Sequence, residues 1–185
     1  DATSVGVGKP KVTGAIFVAP VGTPLPTDAT TALNEAFECI GYVSEDGVTI
    51  EEERDTEDMV AWGGDTVYTS QTTYSETFTF TPIEVNPVVA KMEYGDDNVE
   101  VTAGKMTIKH NSSEIPAKPM VIEVVPNAKT VDRFVVPNAK LTEKGELNLT
   151  DSDPMGRECT FAALPDENGN TAHEYLTITG LTPTE

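Results

Sequence analysis

The chain has 185 residues, and 12 basic against 31 acidic residues give it a formal net charge of −19 at pH 7. So acidic a chain is not expected to bind nucleic acid by neutralising phosphates, and no apolar run approaches the ~20 residues that a membrane helix needs. The 13 prolines, 14 glycines and many threonines and valines predict a mainly β protein divided by turns. The length suits one domain, assigned to residues 14–180, with an N-terminal arm at 1–13 and a short tail at 181–185.

The first elements of the domain are a strand and a helix. A short apolar run at residues 15–19 has the length and the β-branched character of a strand. Prolines and a glycine then exclude regular structure as far as Thr27. From there the pattern predicts a helix of about two turns, because Thr27 suits an N-cap and apolar residues recur at helical spacing, at Ala29, Ala32, Leu33, Ala36 and Phe37. So short a helix is expected to pack on a sheet.

An acidic stretch follows. Residues 45–58 hold eight acids and one base, Arg54. Such a run is typical of a solvated, mobile loop, so residues 45–65 are predicted to form a long hairpin-like excursion. Its end carries Met59 and the single tryptophan, Trp62, beside a glycine pair. Trp62 suits an anchor that docks on another surface, or else it folds back onto its own core.

Residues 66–81 are the clearest long strand. Alternation places Tyr68, Tyr74, Phe78 and Phe80 on one face. The other face is predicted to be uncharged, with hydroxyl and amide groups at Thr69, Gln71, Thr73, Thr77 and their alternating neighbours. Such a face belongs either to a Thr-rich edge strand in water or to a surface that meets a neighbouring subunit or lines a passage.

A second helix and a series of strands complete the domain. The helix is predicted at residues 86–95, because Asn86 suits the N-cap, Pro87 the first helical position and Gly95 the C-terminus. After it, strand and turn patterns alternate to the end. The predicted strands are 99–103, 105–110, 120–125, 131–136, 139–149, 157–164 and 174–179, with Pro137 at an edge or a bulge.

Residues that could support chemistry are sparse. His110 and His173 have no metal-ligand spacing to a cysteine or an acid. Asp166 opens a pattern like a calcium loop, but the glycine is misplaced and the twelfth position is Thr177. No phosphate-binding loop or nucleophile motif is visible, so we expect no enzyme, no metal and no cofactor.

The two cysteines, Cys39 and Cys159, lie far apart in the sequence among apolar neighbours. This context favours buried, reduced thiols over a disulfide.

Four stretches carry a resemblance to a known family. GAIFVAPVGTPLPTDATTAL and GYVSEDGVT, with RFVVPNAKL and IEVNPVVAKMEYGD further on, resemble the major tail tube proteins of long, flexible-tailed bacteriophages. The resemblance implies a two-sheet β-sandwich or barrel-like tail tube fold with one or two short helices. It also implies a subunit that self-assembles as hexameric rings stacked into a hollow tube, assembled in the bacterial host cytoplasm and carried in the virion.

The resemblance implies partners, and the acidic stretch and the polar strand face then suggest contact residues. Its partners would be other copies of the chain, the tape-measure protein inside the tube, and the tail terminator and distal tail proteins at its ends, while genomic DNA passes through without specific binding. The acidic excursion would supply contacts between rings or subunits, at Glu51, Glu52, Glu53, Asp55, Glu57, Asp58, Met59 and Trp62. Thr69, Gln71, Thr73 and Thr77 would face the lumen or a neighbouring subunit.

Two further considerations bear on this hypothesis. Residues 12–90 hold fourteen acids and a single base, so nearly all cations lie elsewhere, and Lys9, Lys11, Lys118, Lys129, Lys140 and Lys144 are candidates to receive the excursion of another copy. The alternative from another class is a bacterial cell-surface immunoglobulin-like β-sandwich that binds carbohydrate or protein, since such modules are also acidic and rich in Thr.

Overall fold

The computed structural model describes residues 5–11 and 15–180, so the far ends of the predicted arm and the tail at 181–185 lie outside it. Ten strands, one α-helix and a single 3₁₀ turn at Asp96–Asn98 make up the regular structure of that part. They are β1 (Ile16–Val18), β2 (Glu38–Cys39), β3 (Val43–Val60), β4 (Thr66–Pro82), α1 (Pro87–Tyr94), β5 (Val99–Thr102), β6 (Lys105–Ile108), β7 (Lys118–Asn127), β8 (Thr130–Lys144), β9 (Cys159–Leu164) and β10 (His173–Ile178).

Two antiparallel sheets confirm the mainly β prediction. The large sheet runs in the order β2-β1-β7-β8-β9-β4-β3, and β10 also pairs with β8; the small sheet is the β5–β6 pair. The first half of β8 pairs with β10 and its second half with β9. Pro137 lies between these halves, at a register irregularity against β7. Because proline has no N–H to donate, a bulge suits it, and the residues predicted as two strands form one.

The main core lies between the two ends of the large sheet. Ile16 and Ile40 from one end pack in the same buried cluster as Phe78 and Phe80 from the other, so the sheet curls around its own apolar face. The Phe80 ring stacks on that of Phe161 at a centroid distance of 5.3 Å. Alternation along β4 therefore predicted the burial of Phe78 and Phe80 correctly. Tyr74 and Tyr68, predicted on the same face, are exposed, and Tyr68 lies on the opposite face because the register shifts between them.

Helix α1 closes this core and has the predicted ends. The Asn86 side chain accepts a hydrogen bond from the backbone N–H of Val89 at 2.9 Å, and Gly95 ends the helix with a φ of 86°. Val89 and Met92 join the core cluster. Capping and periodicity agree here, so the sequence-based prediction is confirmed.

The predicted helix at residues 27–37 is absent, and this prediction is wrong. The segment is an irregular loop over the second face of the sheet, where Leu33 and Phe37 pack with Val121 and Val135. Of the predicted stripe, Ala29 and Phe37 are buried, Leu33 and Ala36 are half-buried and Ala32 is exposed. The backbone groups of the segment bond elsewhere. The Asp28 side chain accepts hydrogen bonds from the N–H groups of Thr30 and Thr31, at 2.6 Å each, as a helix N-cap would, but no helical turn follows.

A buried arginine fixes this loop to the sheet. The Arg133 guanidinium donates to the backbone carbonyl oxygens of Asp28 at 2.6 Å and Thr31 at 2.9 Å. Its Nε donates to Glu123 Oε1 at 2.8 Å. In a helix, these carbonyls would accept from residues four positions ahead. Tertiary contacts thus replace the helix that local sequence predicts.

The described part of the N-terminal arm lies along β7. The backbone N–H of Val7 donates to the carbonyl of Pro126 at 2.8 Å, and Lys11 donates likewise to Glu123 at 3.1 Å. A groove of about 790 Å³ runs between this arm, the start of β3, and β7 and β8.

Candidate assembly surfaces

The acidic stretch predicted as a mobile loop is a strand. β3 and β4 pair along almost their whole length and form a long hairpin. Beyond Glu51 on β3 and up to Ser75 on β4, every strand residue except Ser70 is exposed, so this part projects from the core as a two-stranded ribbon. Threonine and aromatic residues on β4 favour the extended conformation and provide β3 with a partner.

The hairpin ends in a glycine turn that presents Trp62. Gly63 and Gly64 have φ values of 126° and 99°, a region that residues with a Cβ rarely adopt. The Trp62 side chain is fully exposed, at 107% of its reference area, and Met59 is 63% exposed. Trp62 therefore does not fold back onto its own core. Exposed apolar residues grouped at one place are typical of a contact surface.

The predicted contact acids divide between two faces of the ribbon. We call the face that carries Ile50 and continues into the core the inner face, and the opposite one the outer face. Strand alternation places Glu51, Glu53, Asp55 and Glu57 on the outer face and Glu52 and Asp58 on the inner face.

Arg54 organises the inner face. It lies 4.6 Å above the Tyr74 ring, donates to Gln71 Oε1 at 3.3 Å and forms an ion pair of 3.5 Å with Glu52. The Tyr74 hydroxyl also donates to Glu52, at 3.2 Å. These groups are exposed, so their pairing adds little to stability. It does mean that Glu52 on the inner face is already paired with a cation of the same copy.

The four polar residues predicted to share a face of β4 do not share one, and this is a correction. Asp55 pairs with Thr73 but Thr56 pairs with Gln71, so Thr72 is an extra residue without a cross-strand partner. An extra residue of this kind reverses the alternation beyond it. Thr73 and Thr77 therefore lie on the outer face, and Thr69 and Gln71 on the inner face.

The outer face is also charged once β3 is included. Thr77, Ser75 and Thr73 lie opposite Glu51, Glu53 and Asp55 in the register. The Thr73 hydroxyl donates to Asp55 Oδ2 at 2.7 Å. The outer face is thus a row of carboxylates beside a row of hydroxyls, and the expected uncharged surface exists on one strand alone.

Groups that sequence analysis considered for chemistry have structural partners. His110 stacks on Tyr94 at 4.5 Å, and His173 Nε2 lies 3.0 Å from Asp166 Oδ2. The other Asp166 oxygen accepts from the N–H groups of Asn168 and Asn170, and these bonds hold the pKa of Asp166 below its usual value. Within residues 5–11 and 15–180, no group of three or more His, Cys, Asp or Glu side chains could hold a metal ion.

Cys159 is fully buried, which raises the pKa of its thiol to about 12. Cys39 and Cys159, both among the described residues, form no disulfide with each other. Nor does the described chain contain a helix with the length and apolar character to span a membrane.

Comparison with known proteins finds a family and similar solved structures. A family model described as phage tail tube protein matches residues 11–180. Among solved structures, the chain is similar to one from the sheath–tube complex of an extracellular contractile injection system, PVC, in the extended state. That match has 10% identity, a TM-score of 0.44 and coverage of 90% of each chain.

A second solved structure, the cap that terminates the tube of the anti-feeding prophage, is 12% identical with a TM-score of 0.45. That match covers 94% of this chain and 95% of the other. Comparison with curated proteins finds no match.

Proposed function

The chain belongs to the phage tail tube protein family, and from this premise we propose that it assembles as hexameric rings that stack into the hollow tail tube of a long, flexible-tailed phage. As a member of that family it is a structural component of the phage tail and hence of the virion. The proposal includes assembly in the bacterial host cytoplasm and a role without catalysis or cofactor, which the family assignment supports.

The observation that carries the proposal is the exposed ribbon of β3 and β4. An isolated two-stranded hairpin is at best marginally stable in water. Here the distal half is exposed on both faces in the part of the chain that the structure describes, and it carries Met59, Trp62 and Tyr68, with exposed fractions of 63%, 107% and 61%. A ribbon of this kind is completed by a neighbour, and a contact between different surfaces of identical copies repeats into rings or filaments.

The charge of the chain suits a conduit. Every copy contributes a formal charge of −19, so a tube made of many copies has a strongly negative field. Such a field repels DNA and keeps it from adhering to the wall. On this proposal the tube encloses the tape-measure protein, joins the terminator and distal tail proteins at its ends, and lets the genome pass without specific binding.

The cell-surface adhesion module remains the alternative from another class. Its Thr-rich, acidic strands are also present here, but nothing in the ribbon favours carbohydrate over a second copy of the chain. The family match over residues 11–180 favours the tail tube.

Electron microscopy of the purified, concentrated protein tests the proposal. We expect rings or tubes from the native chain, and Trp62→Ala should abolish tubes because the exposed indole is the largest apolar group at the tip. Val85→Ala is the matched control, since Val85 is 71% exposed but lies outside the hairpin.

Circular dichroism should show both variants folded like the native chain. Featureless monomers of the native chain at every concentration would contradict self-assembly. If Trp62→Ala forms normal tubes, Trp62 is not the anchor, but the proposal of self-assembly is not contradicted.

A further inference from the structure

Most cations of the chain are already in use within one copy. Six of the twelve form ion pairs, namely Lys11, Arg54, Lys118, Arg133, Lys140 and Arg157. Lys144 lies 4.2 Å above the Tyr94 ring and donates to the carbonyl oxygen of Glu93. The sequence-based candidates Lys11, Lys118, Lys140 and Lys144 are therefore poor receivers for a second copy.

Five lysines have no acidic partner among the described residues: Lys9, Lys91, Lys105, Lys109 and Lys129. Lys91 is half-buried on α1, while Lys9 and Lys129 lie apart, on the arm and in the β7–β8 turn. Lys105 and Lys109 are exposed and lie four residues apart, with Thr107 between them at the alternate position. They are the pair among these five that shares a strand face.

That strand face is unpartnered. In the small sheet, Val99 pairs with Ile108 and Val101 with Met106, and Met106 and Ile108 line a cleft with Val89 of α1. The apolar face thus points toward the helix. Lys105, opposite Thr102, and Thr107, opposite Glu100, lie on the other face, and Lys109 continues the row through its N–H bond to Asn98. Glu100 is therefore an acid on this face, so the two lysines leave it with a net charge of +1.

The outer face of the β3–β4 hairpin has the complementary row. Glu51, Glu53 and Asp55 follow at alternate positions, opposite Thr77, Ser75 and Thr73. No cation faces them, since Arg54 lies on the inner face with Glu52. Alternate residues on a strand are about 7 Å apart, so the separation of Lys105 from Lys109, four residues on, matches that of Glu51 from Asp55.

We propose that the lysine face of the β5–β6 sheet in one copy receives the outer face of the β3–β4 hairpin of a second copy. Lys105 and Lys109 then lie beside Glu51, Glu53 and Asp55, and the hydroxyls of Thr73 and Thr77 border the contact. The inference rests on the proposed tube assembly and identifies the surface that the hairpin contacts. Charge complementarity fixes the register of this contact, while apolar groups at the tip hold it.

Charge reversal on each side tests the pairing. Lys105→Glu with Lys109→Glu should raise the protein concentration needed for assembly about tenfold or more, because two exposed pairs are replaced by like charges. Glu51→Lys with Glu53→Lys should have the same effect. An equimolar mixture of the two variants should assemble, since each then meets its opposite charge. Lys9→Glu with Lys129→Glu changes the net charge equally at the two remaining sequence-based candidates and should assemble like the native chain. A loss of assembly from this variant in place of Lys105→Glu with Lys109→Glu would put the receiving surface there and contradict the pairing.

Carbodiimide cross-linking of the native protein is the second measurement. Mass spectrometry should find residues 51–55 joined to residues 105–109 in tubes and not in monomers. If Lys105→Glu with Lys109→Glu assembles like the native chain while native tubes form, the pairing is wrong and the tube assembly stands. If the native protein forms no tubes, the assembly is contradicted and the pairing falls with it.

Discussion

Arg133 has a structural role at the scale of a single residue. Its guanidinium is buried, and it joins Glu123 to two backbone carbonyls of the loop at residues 20–37. Without Arg133, the buried Glu123 carboxylate retains only Lys11, at 3.4 Å, and loss of a partner from a buried ion pair costs up to about 3–5 kcal/mol. We therefore expect Arg133→Ala to lower the free energy of unfolding by about that amount in urea denaturation.

Arg54→Ala is the control for this experiment. Arg54 also pairs with a glutamate, but both side chains are more than half exposed, so its loss should cost about 0–1 kcal/mol. Equal losses from the two substitutions would show that the buried network does not hold the loop.

Asp132 should make stability depend on pH. Its Oδ1 is buried without a hydrogen-bond partner, and burial, with the nearby Glu174 carboxylate, raises its pKa from 3.8 to about 6. The folded protein therefore holds this proton more tightly than the unfolded chain does. Stability is highest below the ordinary pKa, falls as pH rises from 3.8 to about 6, and stays reduced above that.

Asp132→Asn removes the titrating group. We expect the variant to be about 1 kcal/mol more stable than the native chain at neutral pH, and to lose its advantage in acid. Thermal unfolding across this pH range measures both effects. A variant with an unchanged pH profile would show that Asp132 ionises normally.

Residue-scale prediction succeeded where alternation was regular. The burial of Phe78 and Phe80 follows from the period of two, and so does the shared face of Thr73 and Thr77. The extra residue at Thr72 left no signal in the sequence, because no glycine or proline marks that part of β4. The contacts of Arg133 could not be predicted either, because the loop carbonyls that it binds are more than a hundred positions away in the sequence.

At the scale of elements, the hairpin should be the least protected strand pair. Its distal residues are exposed on both faces, whereas β7 and β8 lie at the centre of the sheet. We expect amides at 51–60 and 68–75 to exchange quickly in the monomer and slowly in tubes, because local opening there exposes little apolar surface. Hydrogen exchange by mass spectrometry distinguishes the two states.

Amides of β7 and β8 are the internal reference and should be protected in both states. Equal protection of the hairpin before and after assembly would exclude it from the contacts between copies.

Prediction of elements depended on whether local signals agreed with tertiary contacts. Helix α1 was predicted because cap, proline and glycine signals coincide at its ends. β3 was misread as a loop because its many acids show no apolar alternation, and its strand structure comes from pairing with β4. The predicted helix at 27–37 does not form, and the carbonyls of Asp28 and Thr31, which a helix would use, accept from Arg133.

At the scale of the whole molecule, two electrostatic effects oppose each other. Copies at −19 each repel one another, and the repulsion extends over about 8 Å at physiological ionic strength and weakens as salt is added. The proposed contact of Lys105 and Lys109 with the hairpin acids is attractive, and added salt weakens this attraction as well. We therefore expect assembly in sodium chloride to be most extensive at intermediate ionic strength.

Light scattering against salt concentration measures this optimum. Lys105→Gln with Lys109→Gln should remove the decline at high salt, because screening then weakens repulsion alone. A native chain whose assembly only falls from the lowest salt upward would show that net charge does not limit association.

Thr72, the extra residue of β4, affects the direction of the hairpin and not the pairing of its side chains. Deleting it would leave each cross-strand pair as it is, because Thr56 already pairs with Gln71 and Asp55 with Thr73. What would change is the bend and local twist that a bulge adds to a ribbon. The side chains of Trp62 and its neighbours therefore determine what the end of the hairpin contacts. The bend at Thr72 determines the direction in which that end projects. In the proposed tube that angle recurs at each subunit, so a change of a few degrees would accumulate along the tail as a change in helical pitch.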